Sequence, residues 1–410
     1  MPRWILLAAM ATVGALAATA GDAAASAPTA ASAAEPQGKK GEPVCPYCKN
    51  DEKVLEGAAL KGHGKMPFGK NNSDEIKRFL SYTNPLFIES KHFRIGSLLE
   101  SYTIPESDWK AYAAEFAELR KVLPAVPAKP KVLDPWLRLH LYALRCEKRY
   151  ERFLKIIQRK EEDFPDKRIF GAPYMGEGRY LGMQDKYEVF LHKDLRTFTD
   201  LLREHSGSTT KKTKREHYVE RGALGVHIPM TDEVRADLDL YAHLTHNLGH
   251  LFHVGYKHYT YEPPKWLEEG FAHVFEKEVN PEYNSFDSEE AATADMYEGD
   301  DWYGAVVKVI DRGRAAPLAD LVHRSSFSSF GKEDHLIIWS KVEFLMSKPD
   351  LMAKLFDSLA GRLNKEGFGD GSNLQGVQRD FFKKEAGWTF EEFDREWEKY
   401  VRKTYITKKP

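Results

Sequence analysis

Apolar residues recur at helical spacing over 106–122 and 135–163, and Pro124, Pro127 and Pro130 break the chain between them. The alternation from Leu86 to Leu98 predicts an early strand region. Lys186–His192 and 222–229 predict two more strands. Residues 206–217, with Ser-Gly-Ser-Thr-Thr-Lys-Lys-Thr-Lys-Arg, predict an exposed loop whose charges are solvated. From Asp232 onward the pattern is almost wholly helical, with loops near 258–264, 279–286, 311–316 and 364–373. A mixed part followed by a helical part predicts an α+β fold. The expected divisions are a small CxxC module over 44–85, a mixed α/β part over 86–230, and a helical metal-site and C-terminal part over 231–405.

The first 43 residues differ from the rest. Arg3 precedes a mostly apolar stretch from Trp4 to Ala20, and small-residue cleavage sites follow at Ala18-Thr19-Ala20 and Ala25-Ser26-Ala27. This predicts a signal peptide over 1–27, a flexible leader over 28–43, and an exported protein, periplasmic or extracellular. No later segment is long and apolar enough to cross a bilayer, so no stable membrane insertion is expected after signal removal. Lys plus Arg is 60 against 62 for Asp plus Glu, a balance that argues against nucleic acid as a partner. Three cysteines cannot staple 410 residues, so the fold must rest on its core.

The informative chemistry lies in 232–278. A helix there carries His246-Asn247-Leu248-Gly249-His250, and residues four apart share one helical face, so both imidazoles can point at one ion. Eighteen residues then lead to Glu269, within Trp266-Leu267-Glu268-Glu269-Gly270-Phe271-Ala272 at the start of a second helix. Two His and one carboxylate leave a fourth position open, as a catalytic zinc site requires.

These residues together resemble the gluzincin (peptidase-MA-like) metallopeptidases, in which HExxH supplies two zinc ligands and the Glu of a downstream Glu-Gly-x-Ala the third. The resemblance is sharpest over 240–278 and looser over 86–402. It implies a small sheet, a metal-site helix pair, a helical C-terminal part, and one zinc on His246, His250 and Glu269. One departure is decisive: Asn247 stands where the family has its general-base Glu. An amide does not titrate in the usable range, and loss of a general base costs about 10²–10⁴-fold. Glu268 points roughly 100° from Glu269 on a helix and is a poor substitute. Gly222-Ala-Leu-Gly-Val226 lacks the Glu of the related aminopeptidases. His335 and Tyr303 are weak candidates for an oxyanion stabiliser, and His243, His253 and His273 are candidates to support the ligands.

Cys45-Pro46-Tyr47-Cys48 admits a disulfide or redox pair, or a second metal with His63 and one more ligand. Lys49 stands where a haem-attachment motif has His, so haem is not expected. Cys146, on an apolar helix with Leu139, Leu141 and Leu144, reads as a buried thiol. The expected function is binding or scaffolding by a metal-bearing, proteolytically impaired protein with a peptide or protein ligand. The alternatives are an active zinc hydrolase with an atypical base, and a redox or haem protein centred on Cys45 and Cys48.

Overall fold

Four apolar segments build the centre of a mixed sheet. They are β4 (Leu86–Ser90), β5 (Phe93–Ser97), β8 (Tyr187–His192) and β10 (Ala223–Pro229). Helices cover both faces, so these strands read as nearly continuous apolar runs. The computed structural model describes residues 44–232, 234, 236–285 and 301–406; the expected signal peptide and leader lie outside them. Before β4 come α1 (Glu52–Gly57), β1 (Leu60–Gly62), β2 (Pro67–Phe68), β3 (Asn71–Asn72) and α2 (Ser73–Phe79). Between β5 and β8 lie β6 (Tyr102–Thr103), α3 (Trp109–Val122), β7 (Val132–Leu133) and α4 (Pro135–Ile156). Then α5 (Leu195–Ser206) and β9 (Lys214–Tyr218) precede β10.

The sheet order is β1-β4-β5-β8-β10-β9. β4 and β5 form an antiparallel pair, β5, β8 and β10 run parallel, and β9 returns antiparallel along the edge with Ala223 opposite Tyr218. α4 and α6 (Asp237–Gly255) cover one face and share the main core. α5 lies on the other, over a smaller core that includes Phe68, Ile76, Phe87, Phe190 and Leu201. The rest of the chain is helical: α7 (Lys265–Lys277), α8 (Trp302–Asp311), α9 (Leu318–Leu321), α10 (Lys332–Met346), α11 (Pro349–Leu359), α12 (Leu374–Ala386) and α13 (Phe390–Thr404). From Cys45 onward the chain is one compact unit.

Two expectations are corrected. Lys214–Tyr218 is a half-buried strand rather than part of an exposed loop. Its Lys-Arg-Glu-His run lacks apolar alternation because it is an edge strand bordering a polar cleft. The helix expected over 135–163 ends at Ile156: Gln158 adopts a left-handed conformation (φ 52°) and the Arg159 amide turns back to the Leu154 carbonyl at 3.0 Å.

Two glycines set the approach of the helices that matter most. A Cβ at Gly249 of α6 would lie 3.0 Å from the Cα of Ala272 on α7. One at Gly270 of α7 would lie 2.6 Å from the carbonyl oxygen of Ile338 on α10. Gly270→Ala therefore forces two helices apart and should cost about 1–3 kcal/mol by overpacking, read as a lower denaturant midpoint with an unchanged m-value.

Candidate metal centre

α6 and α7 lie side by side and present one face each to the other. On α6 that face carries His246 and His250; on α7 it carries Glu269, His273 and Glu276, spaced four and three residues apart. The Nε2 atoms of His246 and His250 are 3.2 Å apart. Glu269 Oε2 lies 3.2 Å from His250 Nε2, and Oε1 lies 3.8 Å from His246 Nε2. All three side chains are buried. The ligand trio expected from the sequence is thus one cluster of donor atoms, with an N/O composition suited to zinc.

The other nitrogen of each imidazole faces a carboxylate. His246 Nδ1 lies 3.0 Å from Glu276 Oε2, and His250 Nδ1 lies 2.9 Å from Glu268 Oε1. Such contacts place the imidazole proton on Nδ1, the tautomer whose Nε2 carries the lone pair a metal ligand needs, and raise its basicity. Lys265 Nζ holds the second oxygen of Glu268 at 2.8 Å. On α7 itself, His273 spans Glu269 Oε1 and Glu276 Oε1 at 3.0 Å each. His273 thus holds the carboxylate of Glu269 in place.

Charge explains why these donors converge. Glu268, Glu269 and Glu276 are buried, and burial alone would favour their neutral forms. Yet His250 and Lys265 hold Glu268 down to about 2, and His246 with His273 hold Glu276 down to about 2. Glu269 is pushed well below the usual carboxylate range by the same two histidines. Burial opposes charge on His273, but Glu269 and Glu276 outweigh it and raise the imidazole to about 9. Among the described residues, one ammonium, Lys265, pairs with these three buried carboxylates. The remaining two charges call for protons on the imidazoles or for one divalent cation.

Asn247 is buried and both ends of its amide are engaged. Oδ1 accepts from Arg215 Nη1 on β9 at 3.1 Å, and Nδ2 donates to the His243 carbonyl at 2.9 Å. Glu268, the poor substitute base, turns to His250 Nδ1 and Lys265. Beside His250 opens a cleft of about 450 Å³, lined by β9 from Lys214 to His217, by Lys265 and Glu268, and by Ser325, Ser326 and Phe327. The Phe327 ring meets His250 edge-on at 5.4 Å and takes Lys265 Nζ over its face at 4.5 Å.

The weaker candidates separate. His335 Nδ1 lies 2.9 Å from His273 Nε2 and 3.5 Å from Glu269 Oε1, the oxygen that His273 also meets. The Tyr303 hydroxyl bonds Glu343 at 3.2 Å. His243 contacts Thr213 and Ser285, away from the ligand trio. His253 is a core residue against Phe356, and burial lowers its imidazole to about 3.

Cys45, Cys48 and His63 do come together, and they meet His140 of α4. The two sulfurs are free thiols, not a disulfide. Cys146 is fully buried, and burial raises its thiol well above the ordinary value.

Sequence reasoning missed Glu276, Arg215 and His140. Glu276 lies seven residues after Glu269, which is two helical turns on the same face, and that spacing was a usable signal. Glu268→Gln keeps the size of the side chain but removes the charge held against His250 and Lys265. It should weaken zinc binding by about 10–100-fold, measured by competition with a chromophoric chelator.

Comparison of the chain with protein-family models finds no match, and no curated protein matches it.

Proposed function

We propose that this is an exported gluzincin-like metal-binding protein that holds a peptide or protein ligand at its cleft without cleaving it. His246, His250 and Glu269 would hold zinc, a Lewis acid that attracts a carbonyl or carboxylate oxygen. The observation that carries the reading is Asn247. Its amide is bonded to Arg215 and to the His243 carbonyl, so the position cannot accept a proton from water.

The surroundings favour binding. β9 borders the cleft as an edge strand, and an extended peptide can add to such an edge through backbone hydrogen bonds. Phe327 supplies an apolar wall, and Arg215 supplies a guanidinium suited to a carbonyl or carboxylate.

The test is hydrolysis of a broad peptide mixture by zinc-loaded wild type beside His250→Ala, with binding of the same peptides measured in parallel. The reading predicts binding that depends on His250 and no hydrolysis above the variant. Wild-type hydrolysis abolished by His250→Ala contradicts it.

A further inference from the structure

The sulfur–histidine cluster lies apart from the cleft and shares no residue with its lining. Cys45 Sγ lies 3.1 Å from His140 Nε2, and Cys48 Sγ lies 3.2 Å from His63 Nε2. One donor atom from each of the four residues falls within 4.8 Å of the others. Both sulfurs and His140 are buried, and His63 is half-buried. His63 Nδ1 lies 2.8 Å from the Phe87 carbonyl, which selects the tautomer with Nε2 as the donor. The His63 and His140 rings meet edge-on at 5.3 Å.

The backbone is shaped to the cluster. The Lys49 amide returns to the Cys45 carbonyl at 2.8 Å and the Asp51 amide to the Cys48 carbonyl at 2.9 Å. Lys49 and Asn50 both take left-handed conformations, with φ of 52° and 55°. Neither residue is glycine, so this turn carries a conformational cost that something else must offset. A local disulfide would give no reason for two imidazole nitrogens from distant elements to converge on the sulfurs.

We infer that Cys45, Cys48, His63 and His140 hold one zinc ion in a closed, four-coordinate structural site. Two thiolates and two imidazoles complete a tetrahedral set with no open position for water, which separates this site from a catalytic one. The ion joins three parts of the fold: the turn before α1, the residue after edge strand β1, and the second turn of α4. β1 is only three residues long and its pairing with β4 is irregular, so the metal anchors an edge that pairing alone holds weakly. α4 also carries Arg138 and Arg145, which hold the first turn of α6, so the ion braces the helix that positions the candidate cleft metal.

The test uses the full chain with its metal exchanged for Co²⁺. A Cys₂His₂ site gives an intense thiolate-to-cobalt charge-transfer band in the near ultraviolet, which the His246, His250 and Glu269 trio cannot produce because it contains no sulfur. The inference predicts this band in wild type and in His250→Ala, its loss in Cys45→Ser/Cys48→Ser, and about one less zinc per chain in that double variant than in wild type. Where Cys45→Ser/Cys48→Ser fails to fold, the wild-type band decides alone. A wild type without the band overturns the inference, whether mass spectrometry finds Cys45 and Cys48 joined as a disulfide or as two free thiols.

Discussion

Asn247→Glu is expected to create peptide hydrolysis where the wild type has none. The substitution places a carboxylate one residue after His246, at the buried position where Arg215 now bonds the amide. A positioned general base contributes about 10²–10⁴-fold, and the gain should fall within that range over the zinc-loaded wild type. Arg215 sets how much of it is realised. A guanidinium about 3 Å from the new carboxylate lowers its pKa and makes it a weaker base. Asn247→Glu with Arg215→Gln should therefore exceed Asn247→Glu alone, while Arg215→Gln alone stays inactive. A fluorogenic peptide assay beside His250→Ala variants of each measures this. No gain in either Glu-bearing variant would mean that the loss of the base is not what silences the site.

Asp237→Ala is expected to cause the largest loss of stability. Asp237 opens α6 and is fully buried. Its Oδ1 accepts from Arg138 Nη2 at 2.8 Å, and its Oδ2 accepts from Arg145 Nη1 at 2.8 Å and from the Tyr112 hydroxyl at 3.1 Å. Glu115 also pairs with Arg145, but among the described residues Arg138 has no other carboxylate partner. Removing one partner of a buried ion pair strands the other and costs about 3–5 kcal/mol. Because α6 carries His246 and His250, zinc affinity should fall with stability. The pH dependence has a definite sign. Burial alone would raise the Asp237 carboxyl, but Arg145 and Arg138 outweigh it and hold it below its ordinary value. A depressed carboxyl contributes stability that is full above the unfolded pKa of about 3.9 and is lost as pH falls through the folded value. The gap in unfolding free energy between wild type and Asp237→Ala should be widest near neutrality and shrink below about pH 4.

The candidate metal trio was legible because its geometry is local. The i, i+4 histidines of α6 need only helical periodicity, and Glu269 needs only a second helix packed on the first. Gly249 and Gly270 sat in the same motifs, but their role depends on backbone approach between helices, which sequence spacing does not encode. His140 was hidden by distance: it lies 95 residues from Cys45, on a helix whose neighbours Leu139 and Leu141 make it look like core. Arg215 was hidden by polarity. An edge strand beside a polar cleft lacks the alternation that marks a strand, so Lys214–Tyr218 reads as loop until the sheet is assembled. β8 and β10 were legible because they are apolar and bounded by turns, whereas 86–98 reads as one strand and is two, β4 and β5, reversed at Lys91 and His92.

The most direct measurement is zinc per chain in the purified, tag-free protein beside His250→Ala and a Cys45→Ser/Cys48→Ser variant. With one ion on His246, His250 and Glu269 and another on the cysteine cluster, wild type should hold about two zinc ions and each variant about one. Equal zinc in wild type and His250→Ala would contradict the cleft metal centre, and the buried histidines and glutamates of α6 and α7 would then be balanced by protons alone.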